Sequence, residues 1–140
     1  MCELPNNNPS DTEIKKILEE AKTIAIVGLS KDPEKTSYRV AQYLKINGYK
    51  IIPVNPSGGE ILGEKCYTSL KEIPEIVDIV NIFRKPEALA EVVDEAIEIK
   101  PKVIWMQLGL ANNKAAEKAC EHGIKVIMNK CIKIEHSVYL

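Results

Sequence analysis

The chain has 140 residues, of which 45% are hydrophobic and 28% charged, the usage of one ordinary globular domain with room for a core of about five strands. A formal net charge of -1 excludes a bulk electrostatic pull toward nucleic acid or a membrane surface, so any basic site must be local. No apolar run approaches the roughly 20 residues that cross a bilayer, and the opening MCELPNNNPS has neither the charged nor the apolar region of a signal peptide; the expected location is cytoplasmic.

Residues 1–9 read as a loose polar lead-in to a single domain that fills 1–140. Ser10 followed by Glu13 forms a capping box, and Ile14, Ile17 and Leu18 then fall on one helical face. Five apolar segments follow: TIAIVG (23–28), KIIPVN (50–55), VDIVNIF (77–83), VIWMQ (103–107) and IKVIMN (124–129). They are runs more than alternations, which predicts strands buried on both faces. Helical patterns separate them at 37–47, at 86–100 with Pro86 in the first turn, and at 112–122 before Gly123. The stretch from Pro56 to Pro74 fits this scheme least, since SLKEIP supports only one turn of helix. Alternating strand and helix call for right-handed crossovers and a parallel sheet with helices on both faces, a doubly wound, Rossmann-like α/β domain of five strands.

Four cysteines, Cys2, Cys66, Cys120 and Cys131, stand far apart without a C-x-x-C pair. Neither a metal site nor a disulfide framework is suggested, and free thiols are expected. His122 at a helix end and His136 in the tail have no serine or cysteine spaced for a triad, so no catalytic constellation is assigned.

In such a sheet ligands bind beyond the carboxyl ends of the strands. The first strand ends in Gly28, where the backbone can turn sharply and approach a ligand, and the helix after it aims unpaired N–H groups at an anion. Leu29, Ser30, Lys31, Lys35, Thr36 and Ser37 fill the connection with cations and hydroxyls, which suits a phosphate or diphosphate. The alternative is a tight turn, a hydroxyl cap and solvated lysines. Two glycines of a dinucleotide fingerprint are missing, and the second strand ends in Asn55 and Pro56 where an NAD site has a carboxylate. A ribose bearing a phosphate, as in NADP and coenzyme A, is spared repulsion there, although proline and glycine also simply make rigid turns.

After the third strand Arg84 is placed to clamp a phosphate in bidentate fashion, with Phe83 beside it for an adenine ring. Equally, Arg84 can pair with Glu87 and Phe83 can be core. Gln107 and Gly109 are expected next to Gly28 at the point where strand order reverses, where they can hold an amide arm. Cys131, flanked by Lys130 and Lys133, is either a reactive thiolate or an inert buried cysteine.

Together the motifs VGLSKDPEKTSYRVAQYL, GYKIIPVNP, ILGEKCYTSL, VDIVNIFR, VIWMQLG and NKC, in that order, make the chain resemble the small stand-alone CoA-binding proteins. Their fold is similar to the N-terminal CoA-binding domain of the succinyl-CoA synthetase alpha subunit and of the nucleoside-diphosphate-forming acyl-CoA synthetases. The resemblance covers about Ile14 to His136. It implies coenzyme A along the rim: diphosphate on Gly28 to Ser37, adenosine end near Asn55, Pro56, Phe83 and Arg84, pantetheine arm toward Gln107 and Gly109. The synthetases add a domain with a phosphorylated histidine loop and a nucleotide-grasp domain, for which 140 residues leave no room. The resulting expectation is binding of CoA or an acyl-CoA without catalysis. An NADP-dependent oxidoreductase and a CoA-linked thiol carrier acting through Cys131 are the alternatives. No nucleic acid or membrane partner is expected; the apolar tail SVYL is a candidate cover for a second subunit of a homo-oligomer.

Overall fold

A computed structural model describes residues 8–140. In chain order the elements are α1 (Asp11–Glu20), β1 (Thr23–Val27), α2 (Thr36–Ile46), β2 (Lys50–Val54), β3 (Glu60–Ile61), β4 (Glu64–Lys65), β5 (Ile79–Ile82), α3 (Leu89–Ile99), β6 (Val103–Met106), α4 (Asn113–Glu121), β7 (Lys125–Ile127) and α5 (Ile132–Tyr139). Short 3-10 turns occupy Leu70–Glu72 and Pro86–Ala88. The main sheet has the order β2-β1-β5-β6-β7 with every pair parallel. Strand order therefore reverses at β1, and the crevice between the ends of β1 and β5 is the switch point.

Alternation along the strands divides the core into two layers of side chains. Ala25, Val27, Val80, Ile82, Ile104 and Met106 pack with Val93 and Ala96 of α3 and Ala116 of α4 on one face. On the other, Ile24, Ile26, Ile79 and Trp105 pack with Ile14 of α1, Val40 and Leu44 of α2 and Ile132 of α5. This is the expected doubly wound α/β architecture. Among the described residues no helix is long and apolar enough to cross a membrane.

The Ser10 half of the capping box is present, its hydroxyl accepting from Glu13 N–H at 3.2 Å, while the Glu13 carboxylate accepts from Lys125 Nζ at 2.8 Å. Asn112 caps α4 in the same way through Ala115 N–H at 3.0 Å. In contrast, Lys35 and Cys131, the residues before α2 and α5, supply no side-chain cap of their own. Both helix starts lie at the carboxyl rim of the sheet.

Two elements lie outside the sequence reading. The β3-β4 hairpin falls within Pro56 to Pro74, and its turn residues Leu62 and Gly63 both have positive φ, 55° and 76°, the mirror-image turn that a two-residue hairpin needs. Leucine at the first of these positions hides the usual Asn-Gly signal. Helix α5 was expected only as a tail; its buried residues Ile132 and His136 are four apart, and the histidine conceals the apolar periodicity. Cys66 and Cys131 are free thiols, whereas Cys120 is disulfide-bonded, so the expectation of free thiols fails there: spacing along the chain does not report which sulfurs meet in space. Cys2 lies outside the described residues.

Candidate functional site

The close approach of backbone at the switch point is a matter of one missing carbon. Gly28 has φ +86°, and a Cβ built on it would lie 1.9 Å from the Phe83 carbonyl oxygen and 3.5 Å from Arg84 Cδ. Only glycine accepts both the left-handed backbone and the contact. Gly28 N–H donates to the Val54 carbonyl at 2.8 Å and Phe83 N–H to the Val27 carbonyl at 2.8 Å, so the ends of β2, β1 and β5 are bonded into one rim.

From this rim opens a cavity of about 840 Å³, within the range of small-molecule sites. Its walls include Gly28, Ser30, Thr36, Asn55 and Pro56 from the β1 and β2 side. From the other side come Phe83, Arg84 and Lys85 after β5, Gln107, Leu108 and Leu110 after β6, and Cys131 and Ile134 of the α5 start. Among the described residues no aspartate or glutamate stands in that wall. A smaller cavity of about 290 Å³ at the opposite end of the sheet contains Asp78, whose carboxylate accepts from Lys22 N–H at 2.8 Å and Thr23 N–H at 3.0 Å and so ties the strand starts together.

The loop from Gly28 to Thr36 is fixed by its own polar groups. Ser37 is buried, and its hydroxyl accepts from Ser30 N–H at 3.0 Å. The Ser30 hydroxyl accepts from Asp32 N–H at 3.0 Å, and the Asp32 carboxylate from Glu34 N–H at 2.9 Å. Across the crevice the Asn55 amide donates to the Leu29 carbonyl at 2.8 Å and its oxygen accepts from Ser57 N–H at 2.9 Å. The loop thus holds its shape before any ligand arrives. Thr36, in the first turn of the uncapped α2, faces the cavity, where the free N–H groups and the positive dipole end favour an anion.

Arg84 supplies the opposite wall, and its Nε is buried with no hydrogen-bond partner among the described residues. No carboxylate forms an ion pair with it among those residues, so the alternative pairing with Glu87 is not formed. A buried guanidinium nitrogen without a partner costs stability unless something meets it. Phe83 is half-buried; it packs on the α2 and α5 side of the core and also lines the cavity.

Other sequence-selected residues have different places. Leu29 is wholly buried in the core. Lys31 and Lys35 are exposed and outside the cavity wall; Lys31 Nζ leans over Gly59, 3.0 Å from where its Cβ would be. Gly109 is exposed, and its N–H donates to the Asn129 side chain at 2.7 Å. Gln107 lines the cavity, but β5 separates its strand from β1. The expectation that Gln107 and Gly109 adjoin Gly28 is therefore corrected to Phe83 and Arg84, because strand order along the sheet differs from order along the chain. The side-chain oxygen of Gln107, Oε1, accepts from Ile132 N–H at 2.9 Å, capping α5 from the end of β6. Cys131, weighed in the sequence as a reactive thiol, stands in the wall. Wall residues absent from the candidate set are Lys85, Leu108, Leu110 and Ile134; an exposed apolar side chain after a strand end was the available signal for Leu108.

Cys131 is buried at the start of α5, and its cationic neighbours have other partners. Lys130 Nζ lies 3.8 Å from the Glu135 carboxylate, and Lys133 Nζ lies 5.4 Å from the centre of the Tyr43 ring.

A family model described as a CoA binding domain matches residues 22–137. The uncharacterized protein YneT of Bacillus subtilis is 49% identical over 131 residues, 94% of this chain and 97% of that protein. Acetate–CoA ligase [ADP-forming] II of Archaeoglobus fulgidus is 34% identical over 110 residues, and the match takes in 76% of this chain but only 16% of that ligase. Among solved structures, a hypothetical protein from Pyrococcus horikoshii superposes with a TM-score of 0.90 at 40% identity, covering 94% of this chain and 92% of that one. With the family match running from the first strand into the last helix, the chain belongs to the CoA binding domain family.

Proposed function

We propose that this protein binds coenzyme A along the carboxyl rim of its sheet and performs no chemistry on it in binding. The observation that carries the reading is Arg84, its Nε buried and without a hydrogen-bond partner among the described residues, in one cavity wall with Thr36 of the α2 start, which has no side-chain cap, and with no carboxylate among the described residues of that wall. That arrangement suits a diphosphate: backbone N–H groups on one side, a planar fork of donors on the other. Gly28 lets the Phe83 carbonyl and Arg84 close against the end of β1, since a Cβ there would lie 1.9 Å from that oxygen, and Asn55 and Pro56 at the end of β2 put no negative charge near a phosphorylated ribose. Among the described residues the wall carries no histidine or carboxylate, the side chains most used for proton transfer.

Titration calorimetry and thermal shift with CoA, dephospho-CoA, NADP and NAD test it. CoA is expected to bind saturably and to raise the melting temperature, by about 2.7 kcal/mol of stabilisation at a hundredfold excess over Kd. Dephospho-CoA should bind more weakly, and added salt should weaken both. No heat and no shift at millimolar CoA, or a larger shift with NADP, rejects the reading.

A second reading has the Cys131 thiol in the cavity wall in its favour. As a thiolate, Cys131 attacks one sulfur of a CoA-containing disulfide, forms a protein–CoA mixed disulfide, and releases the other sulfur as a thiolate that takes up the proton. Intact mass after incubation with CoA disulfide should show one CoA adduct that dithiothreitol removes. An adduct that persists in Cys131→Ser rejects this reading.

A further inference from the structure

The cavity wall changes character along its length. At the β2 and β1 end it consists of Asn55, Ser30 and Thr36, with Arg84 opposite. At the β6 and β7 end stand Leu108 and Ile134, 64% and 51% exposed, with Leu110 beneath. Val138, 66% exposed, lies four residues beyond Ile134 and extends the same face of α5. Large aliphatic side chains left this open on the lip of a polar cavity favour an apolar cover.

Three strand spacings separate β1 from β7 in the sheet, about 14 Å at ~4.8 Å each. An elongated ligand with its phosphates at Ser30 and Thr36 therefore has its far end at this lip. Resting on the CoA reading above, we propose that the lip formed by Leu108, Ile134 and Val138 holds the hydrocarbon chain of an acyl thioester, so that the preferred ligand is an acyl-CoA with a chain of several carbons. Free CoA leaves these three side chains in water. An acyl chain continues the path of the ligand onto them, and each methylene removed from water contributes about 0.8 kcal/mol, or roughly fourfold in affinity when burial is complete.

The test is calorimetry with CoA, acetyl-CoA, butanoyl-CoA and hexanoyl-CoA. Affinity is expected to rise along the series, by about tenfold or more from acetyl to hexanoyl because the lip is open on one side. Val138→Ser, 66% exposed and outside the cavity wall, should flatten the rise toward hexanoyl-CoA while leaving the affinity for CoA itself within about twofold. Leu108→Ser and Ile134→Ser, in the wall, should flatten the series relative to CoA bound by the same variant. Ile46→Ser, 78% exposed on α2 and away from the cavity, should leave the series unchanged. A flat series in the unaltered protein with CoA still bound overturns the acyl lip and leaves the CoA reading standing. Absence of binding by every member of the series overturns both. A dimer in light scattering that Leu108→Ser dissociates also overturns the proposal, since the apolar cover would then be a second copy of the chain.

Discussion

The loop after β1 and the turn after β5 face each other across the switch point and treat their polar groups differently. In the loop, Ser30, Asp32 and Ser37 bond to one another's backbone, and Asn55 reaches over from β2 to the Leu29 carbonyl. In the turn, Arg84 is drawn against Gly28 with its Nε buried and unpaired. One side has its shape fixed in advance; the other keeps bonding capacity in reserve. Binding is cheaper when one partner surface is already ordered, and selective when the other has a bond to gain. The two sides should therefore fail differently when altered.

The largest effect belongs to the point where they touch. Gly28→Val places a branched Cβ where the Phe83 carbonyl oxygen stands, at a φ of +86°. It should destabilise the protein by about 3 kcal/mol or more, lowering the melting temperature by roughly 10 °C, and abolish CoA binding. A variant melting within a degree or two of the unaltered protein would remove the close approach from the account.

Arg84→Ala comes next and should separate affinity from stability. Losing a charged donor to phosphate weakens CoA binding by roughly 10- to 100-fold, while the melting temperature holds or rises because an unpaired buried nitrogen goes with the side chain. If instead stability drops and affinity is kept, Arg84 is a packing residue. Ser37→Ala gives the mirror image on the loop side. Removing the hydroxyl strands the Ser30 N–H, at a stability cost of about 1 kcal/mol, and affinity follows only severalfold as the loop loosens. Equal effects of the two substitutions on stability and on affinity would erase the distinction between the walls.

The same contrast explains what the sequence discloses. Loop residues betray themselves locally: Gly28 ends an apolar run, Ser30 and Ser37 are seven apart around a proline, and Asn55 precedes Pro56, so the first crossover and its fixed shape are legible along the chain. The apolar strand runs likewise disclose five strands and their parallel sense. Strand order is not legible, because β1 pairs on one side with the strand after the next helix and on the other with a strand more than 50 residues away. That is why Gln107 was expected beside Gly28 when Arg84 is there. Lys31 and Lys35 looked equivalent to Arg84 by charge, but lysines on a protruding loop keep to water, while Arg84 is drawn in by the turn after β5. The apolar lip was missed for a related reason: Leu108 and Ile134 lie 26 residues apart in the chain, on two different elements, and α5 is disguised by a histidine on its buried side.

That histidine gives the smallest prediction, and it concerns the lip alone. His136 is 7% exposed, its Nδ1 is 2.8 Å from the Tyr43 hydroxyl, and the rings of Tyr43 and Tyr49 meet it edge to face at 5.3 and 5.6 Å. Burial pushes its pKa below the ordinary 6.5, because the charged ring loses water there. The unfolded chain then binds the proton more readily than the folded one. Its contribution is therefore complete above about pH 6.5 and is lost as pH falls from there through the lower folded value. Melting temperatures measured from pH 7.5 down to 5 should decline over that window, and His136→Gln, which cannot titrate, should remove that part of the slope. Since His136 anchors the helix that carries Ile134 and Val138, acidification should shrink the affinity gain from acetyl-CoA to hexanoyl-CoA more than it weakens CoA itself. A loss of equal size for every ligand would mean that the two ends of the rim are not mechanically separate.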